Sequence, residues 1–290
     1  MSSDRTSLLL VGTVISIFCG PIGARAQESS SSQDTNAAQQ ETVETRVGRV
    51  RVIDAKEARP LVKTMLSTTI PRRRGKKPAP MLIGAAVTDE QVASIVALAR
   101  VQHASIPAAL RRVLFETKEE ALRVRAAEAL LAQEGKKALP VALDALDESE
   151  LRKSGPVTAM LVRCASAHDA PAKSWAKIYG MFVDLEPDAQ NEMLDHVANA
   201  RDWNAIELLL QNIDAPAPKD VEAANNPPAS YWKRRWEQWR AFGPKLQSAL
   251  RALLGKGFES EKEARAYIES KGGIDALRKL SDPESSRSRR

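Results

Sequence analysis

The chain has 290 residues, two cysteines and a formal net charge of +6. Cleavage of the N-terminal segment that holds Cys19 would leave Cys164 as the one cysteine, which excludes an internal disulfide. Eleven basic residues face two acidic ones between positions 46 and 77, a net +9 that exceeds the whole-chain charge. The basic character therefore belongs to one segment and does not describe the fold.

The first 26 residues are predicted to be a cleaved signal peptide. The apolar run 8–18 is too short to span a bilayer, and Ala24-Arg25-Ala26 offers small residues where a signal peptidase reads them. We therefore expect an exported protein, periplasmic, at the cell envelope or secreted, whose mature chain begins at Gln27. An uncleaved anchor is the alternative, and bulky Phe18 disfavours lipid attachment at Cys19.

Two segments precede the helical part of the chain. Residues 27–45 are rich in Ser, Gln, Asn and Thr and are predicted to be a disordered linker, because they have little apolar surface to bury. Residues 46–87 form a basic lead-in. Its loop supplies the candidate partner-binding residues Arg72, Arg73, Arg74, Lys76 and Lys77. This loop is either a clamp for phosphate or acidic polymer, or a solvated flexible loop. It has no interleaved aromatic residue, which argues against base stacking.

Helical periodicity begins at Thr88 and continues to residue 214. Thr88 with Gln91, and Thr117 with Glu120, have the spacing of capping boxes. Gly135 is predicted to stop a helix. The pattern gives four helical hairpins that begin near residues 88, 119, 156 and 188. Because one such hairpin cannot bury its apolar face alone, a recurring unit of this kind predicts a stack with a continuous core.

One stretch of this region resembles a HEAT repeat. The resemblance is carried by Val124-Arg125-Ala126-Ala127-Glu128-Ala129-Leu130-Leu131, by Gly135, and by Ala138-Leu139-Pro140 with Ala142, Leu143, Ala145, Leu146 and Asp147. It covers about one repeat, and the neighbouring hairpins match in spacing and apolar pattern only. The resemblance implies an all-α fold: a HEAT-like α-solenoid, a right-handed stack of about four hairpins, with a C-terminal helical capping module. It also implies that small residues let paired helices approach closely. We do not transfer the family's inter-repeat polar ladder to Arg125, which lies in the first helix of its hairpin here.

The remainder divides into a Pro-rich linker, 215–229, a C-terminal helical module, 230–280, and a disordered tail, 281–290. Gly243-Pro244 is predicted to end the first helix of the module, and Ser260 with Glu263 to form a capping box in it. Trp232, Trp236 and Trp239 share one helix face. They either cap the open end of the stack, with Trp236 at the centre, or form an aromatic platform for a sugar or peptide.

The sequence contains no motif that predicts chemistry. The three histidines, His103, His168 and His196, are not at metal-ligand spacing, and no phosphate-cradling loop or nucleophile elbow is present. We predict no catalytic, cofactor-binding or metal-binding residue, and therefore no enzyme. Cys164 is interpreted as a buried core thiol, with activation by His168 as the alternative.

The sequence therefore favours a non-catalytic protein-interaction scaffold outside the cytoplasm, with an unidentified protein partner, no specific nucleic acid and no transmembrane span after signal cleavage. The alternative is a binder of an acidic polymer or anionic envelope surface through the basic 46–77 segment. The resemblance leaves an enzyme as a further alternative, because some HEAT-like proteins are associated with cofactor lyase activity. No residue of this sequence is identified that would carry that activity.

Overall fold

A computed structural model describes residues 42–45, 48–70, 86–218 and 225–281. This part of the chain is all-α apart from three short strands. The helices are α1 (Ala55–Thr69), α2 (Asp89–Ala99), α3 (Ile106–Glu116), α4 (Glu120–Leu131), α5 (Gly135–Asp147), α6 (Ser149–Arg152), α7 (Gly155–Ala167), α8 (Ala172–Gly180), α9 (Pro187–Ala200), α10 (Ile206–Gln211), α11 (Ala229–Leu254), α12 (Glu261–Ser270) and α13 (Ile274–Ser281). Two 3-10 turns, Phe182–Asp184 and Trp203–Ala205, precede α9 and α10.

The strands form a small sheet that the sequence did not predict. Their bounds are β1 (Thr42–Thr45), β2 (Gly48–Val52) and β3 (Val101–Gln102). β1 pairs with β2 antiparallel, and β2 pairs with β3 in parallel. The prediction that residues 27–45 are disordered is therefore wrong for the last four of them. Strands this short show too little alternation for a sequence pattern to reveal them.

If the four-residue α6 is left out of the count, alternate helices pack against one another along the chain. α2 packs on α4, α4 on α7, α7 on α9, and α9 on α11, while α3 packs on α5. We call the series α2, α4, α7, α9 and α11 the helical row. Contact between next-but-one helices is what a stack of hairpins requires. The solenoid itself, with its handedness, stays a prediction.

The ends of α7 and α9 repeat one another. Asp169 and Arg201 are the two non-glycine residues with positive φ in the described chain, at 51° and 50°, and each lies just beyond its helix. The helices begin at Gly155 and Pro187, so both the starts and the left-handed residues are offset by the same 32 positions. The same spacing of 32 residues separates the two helix starts and the two left-handed residues. This supports a structural repeat in this region.

Small residues line the helix contacts as predicted. Ala126, Ala127 and Ala129 of α4 are at most 1% exposed, where α4 packs between α2 and α7. The core continues through leucine, isoleucine and valine side chains of every row helix, includes Phe242 and Leu246 of α11, and extends to Ile268 of α12 and Leu277 of α13. Because α11 continues the row, the predicted C-terminal module begins as a further member of it.

Two helix boundaries differ from the predictions. Gly135 begins α5 and does not stop α4, which ends at Leu131. A Cβ at Gly135 would lie 2.9 Å from Nδ1 of His168, so close packing accounts for this glycine. Gly243 and Pro244 lie inside α11, which runs on to Leu254.

The predicted capping boxes had three outcomes. The box at Thr88 and Gln91 is confirmed in both directions. The one at Thr117 is wrong, because Thr117 ends α3 and Glu119 is the N-cap of α4. At Ser260 half of the box forms: the serine side chain accepts from the backbone of Glu263.

Candidate partner-binding surfaces

The predicted binding loop, Arg72, Arg73, Arg74, Lys76 and Lys77, lies outside the described residues, as does the predicted signal peptide 1–26. The helix that precedes the loop is described and carries a basic stripe. Lys56, Arg59 and Lys63 are exposed at i, i+3 and i+7 of α1, and none has an ion-pair partner among the described residues. Glu57, the acidic residue of α1, pairs with Arg51 at 3.0 Å.

A second charged surface crosses the helical row, and we call it the ladder. In α4, Arg125 Nη1 lies 2.6 Å from Glu128 Oε2. Arg163 of α7 forms a two-pronged ion pair with Glu192 of α9, with its Nε donating at 3.1 Å. Asp195 of α9 accepts both contacts from Lys245 Nζ of α11, at 2.6 and 2.7 Å.

The charged residues of the ladder interact electrostatically. The hydrogen bond with Glu192 raises the pKa of Arg163, and the charges of Asp195 and Glu128 act in the same direction. Arg125, to which we did not transfer a polar ladder, thus belongs to a charged surface of this kind. The sequence could not reveal it, because its inter-helix pairs join residues 29 and 50 positions apart.

A groove of about 500 Å³ runs beside the ladder between α7 and α9. It is lined by Arg163, Ser166, Ala167, Glu192, Asp195, His196 and Asn199. Its walls therefore carry one cation, two carboxylates and three neutral polar side chains. An arrangement of this kind presents both signs of charge and both donors and acceptors to a partner.

His196 separates this groove from a second cleft of about 510 Å³. Its ring stacks on Trp175, with centroids 3.6 Å apart and planes 9° apart, and its Nδ1 is 2.9 Å from Ser166 Oγ. Its Nε2 lies 4.0 Å from Oδ2 of Asp202, which accepts a 2.7 Å hydrogen bond from the Tyr179 hydroxyl. Burial lowers the pKa of His196, against the opposing charges of Asp202 and Asp169.

Ser166, His196 and Asp202 are residue types found in nucleophilic triads. The sequence search missed them because Ser166, on α7, lies 30 positions before His196 of α9, which Asp202 follows in a loop. The geometry differs from a triad. The 4.0 Å between His196 and Asp202 is longer than the hydrogen bond that orients a catalytic imidazole, and the carboxylate is engaged by Tyr179 and Asn204. The cluster does join α7, α8 and α9.

The interpretation of Cys164 as a core thiol is confirmed. Its side chain is fully buried, and burial raises the pKa of the thiol to about 12. The ring of His168, the suggested activator, lies with its Nε2 3.2 Å from the carbonyl oxygen of Leu130. A thiol held in its protonated form is a poor nucleophile.

The tryptophan face of α11 is only partly buried, and the prediction that Trp236 is central to a cap is wrong. Trp236 is 44% exposed and Tyr231 is 43% exposed, whereas Trp239 packs on the core and donates to the carbonyl oxygens of Asn212 and Ile213. At about 100° per residue, Trp239, Trp232 and Trp236 lie about 60°, 80° and 120° from buried Phe242. The three residues share a face at the side of the helix, with Trp239 nearest the core and Trp236 farthest from it.

Within the described residues, no group of three or more His, Cys, Asp or Glu side chains could hold a metal ion, and no helix is long and apolar enough to cross a membrane. Comparison with known proteins adds no relative: no family model, curated protein or solved structure matches the chain significantly.

Proposed function

We propose that this protein is a non-catalytic scaffold, exported from the cytoplasm, that binds a partner protein along the ladder and its groove. The observation that carries the proposal is the groove between α7 and α9, with cationic and anionic side chains on its walls. A HEAT-like solenoid, which remains part of the proposal, would present such a surface along successive helices.

The alternating charges of the ladder favour a protein over a polyanion. Arg163 and Lys245 are each paired with a carboxylate, so an acidic polymer would meet Glu192 and Asp195 at the same place. The side chains of Lys245 and Asp195 are 46% and 36% exposed. Exposed ion pairs contribute at most about 1 kcal/mol to stability, so this pair is free to be rearranged in favour of a partner. Complementary charges of both signs give an interface specificity and register.

The test is affinity capture with charge-reversed variants. The tagged full-length chain is compared with Glu192→Lys and with Asp195→Lys. The matched control is Glu116→Lys, which reverses the carboxylate of an ion pair on α3, outside the helical row. We expect a partner retained by the parent and the control and lost from both ladder variants, with circular dichroism showing that each variant is folded. A partner retained equally by the ladder variants would overturn the proposal.

A second candidate function is favoured by the basic stripe of α1. Lys56, Arg59 and Lys63 lie on the helix that leads into the Arg72–Lys77 loop, so an acidic polymer or anionic envelope surface could bind along both. Capture that weakens with salt and disappears when Arg72, Arg73 and Arg74 are replaced by glutamine would favour this function. Capture that persists at high salt favours the scaffold.

Export is tested separately. Because small residues follow the apolar run at the N-terminus, the protein recovered from the cell envelope should begin at Gln27. N-terminal sequencing that finds Met1 or Ser2 there would contradict the proposed processing.

A further inference from the structure

The second cleft, of about 510 Å³, lies on the other side of His196 from the groove, and we call it the charged cleft. It is formed by residues at and beyond the ends of α7 and α9, by the first turn of α8, by the 3-10 turn Trp203–Ala205 and by Arg278 of α13. Its volume is within the range of sites that bind small molecules. No residue of the ladder lines it.

Both non-glycine residues that the described chain holds in the left-handed conformation line this cleft. Asp169 follows α7 with φ of 51°, and Arg201 follows α9 with φ of 50°. Glycine is the usual residue at such a position, because a Cβ is strained there. Arg201 is exposed and has no ion-pair partner among the described residues, so no contact within this part of the chain accounts for a side chain at that position. Strained residues of this kind concentrate at functional sites.

Asp169 is unfavourable for stability for a second reason. The last carbonyl groups of a helix carry partial negative charge, so they repel a carboxylate just beyond the helix C-terminus. Asp169 has this position after α7, whose last residue is Ala167. A positively charged group of a ligand would be attracted both by this carboxylate and by the helix end next to it.

The charges that line the cleft are of both signs and are equal in number. Asp169 and Asp202 supply two carboxylates, and Arg201 and Arg278 supply two guanidinium groups. A ligand with a single charge would be attracted by one pair and repelled by the other, whereas a zwitterion is attracted by both. Guanidinium groups suit the carboxylate of such a ligand, because they bind carboxylates through paired hydrogen bonds.

The remaining lining of the cleft is mainly apolar. Beside the four charged residues and the polar side chains of His196 and Asn204, five apolar residues line it: Ala170, Ala172, Trp175, Ala200 and Trp203. The two tryptophans are only 3% and 8% exposed, so the surrounding core holds their rings in place. The alanines leave room beside the charged groups, and together these residues offer contact to an apolar side chain of a ligand.

We propose that the charged cleft binds an α-amino acid with an apolar side chain. Its ammonium group lies against Asp169, its carboxylate lies against Arg201, and its side chain contacts the alanines and tryptophans. An α-amino acid combines these two charges and an apolar group in a molecule small enough for the cleft. The site goes beyond the proposed scaffold, because the cleft and the groove share only His196.

The experiment is isothermal titration calorimetry of the full chain with L-leucine, L-methionine and L-phenylalanine. Each is compared with the acid that lacks its amino group and with the amine that lacks its carboxylate, and D-glucose serves as a neutral polar probe. The variants are Arg201→Gly and Asp169→Asn, because glycine and asparagine tolerate the left-handed conformation best. The control is Arg112→Gln, which removes an exposed cation of α3 outside the cleft.

We expect saturable binding of at least one of the three amino acids. Its two analogues should bind at least about tenfold more weakly, because each lacks one charge-assisted hydrogen bond. Arg201→Gly and Asp169→Asn should weaken binding by a similar factor, and Arg112→Gln should leave it unchanged. The melting temperature of Arg201→Gly should equal or exceed that of the parent, because glycine relieves the backbone strain. A purely structural role of Arg201 predicts a lower melting temperature.

Three results would overturn the proposal: no binding of any of the three amino acids to the folded parent, equal binding of an analogue that lacks one charge, or undiminished binding by Arg201→Gly. Binding of glucose in place of the amino acids would also overturn it and would assign the cleft to a neutral sugar. Neither cleft variant changes the ladder or its groove. Capture of the partner by both variants therefore keeps failure here distinguishable from failure of the proposed scaffold.

Discussion

Single residues of α11 differ sharply in how much they bury, although several are aromatic. Phe242 is 1% exposed and meets Phe182 edge-on, with ring centres 5.1 Å apart. Trp236, about 120° around the helix from it, is 44% exposed. The periodicity places three tryptophans on one face, but it does not tell which part of that face meets the core. The position of α9 against α11 decides this, and that is a tertiary property.

We predict opposite costs for truncating these two rings. Phe242→Ala should lower the free energy of unfolding by about 3–5 kcal/mol, because it removes a buried ring and leaves a cavity. Trp236→Ala should lower it by less than about 1 kcal/mol, since water already reaches the ring. Urea unfolding of both variants beside the parent measures the difference. If Trp236→Ala lowered the free energy of unfolding as much as Phe242→Ala, the prediction that Trp236 is buried in a cap would be supported.

His196 is predicted to make the fold sensitive to acid. Its pKa is lowered in the fold by burial, so the unfolded chain, in which it titrates near the ordinary 6.5, binds the proton more readily. The contribution to stability is complete above about pH 6.5 and is lost as the pH falls from there to the lowered pKa.

The measurement is the free energy of unfolding of the parent minus that of His196→Gln between pH 8 and pH 5. The difference should be constant at the alkaline end and decline below about pH 6.5. A difference that grows on acidification would contradict the prediction. It would mean that protonated His196 gains more from Asp202, 4.0 Å away, than it loses through burial.

At the scale of elements, Gly243 and Gly255 of α11 give a matched pair. Apart from adjacent residues of the chain and the backbone of the helix itself, a Cβ at either position would meet nothing within 4 Å, but Gly243 lies inside the helix whereas Gly255 ends it with φ of 82°. Gly243→Ala should leave the free energy of unfolding within about 0.5 kcal/mol of the parent, because the helix propensity gained with alanine is offset by crowding of its Cβ against the ring of Pro244. Gly255→Ala should lower it by about 1 kcal/mol, because alanine is strained in the left-handed region.

Thermal and urea unfolding of both variants provide the check. Since neither methyl group meets a residue distant in sequence, the local backbone is the main difference between the two sites. Equal destabilisation by the two substitutions would indicate that α11 is interrupted at Gly243-Pro244, as the sequence suggested.

The sequence predicted most helices. Its predictions were wrong at positions whose conformation depends on a contact with a residue distant in sequence. α9 was placed at its observed residues because Pro187 opens it and a regular apolar stripe follows. Gly135 was misassigned because its role is to pass close to His168, a residue 33 positions away. The β3 strand, two residues long, depends on pairing with β2 and has no signal of its own.

At the scale of the whole molecule, the helical row brings distant charges together. The hairpin spacing predicted that helices recur, and the structure confirms an all-α chain in which alternate helices pack. The spacing could not predict which exposed side chains would be neighbours, because that depends on how far each helix is rotated about its axis. The ladder, its groove and the His196 cluster were for this reason all missed, whereas buried Cys164 was recognised from its apolar surroundings alone.

The scaffold claim is tested most directly by site-specific photo-crosslinking in cells. A photoreactive residue at Asn199, exposed on the wall of the groove, is compared with one at Lys153, exposed at the end of α6 and away from it. We predict an adduct with one defined protein from Asn199, none from Lys153, and loss of the adduct when Asp195→Lys is added. No adduct from Asn199, or the same adducts from both positions, would contradict the account.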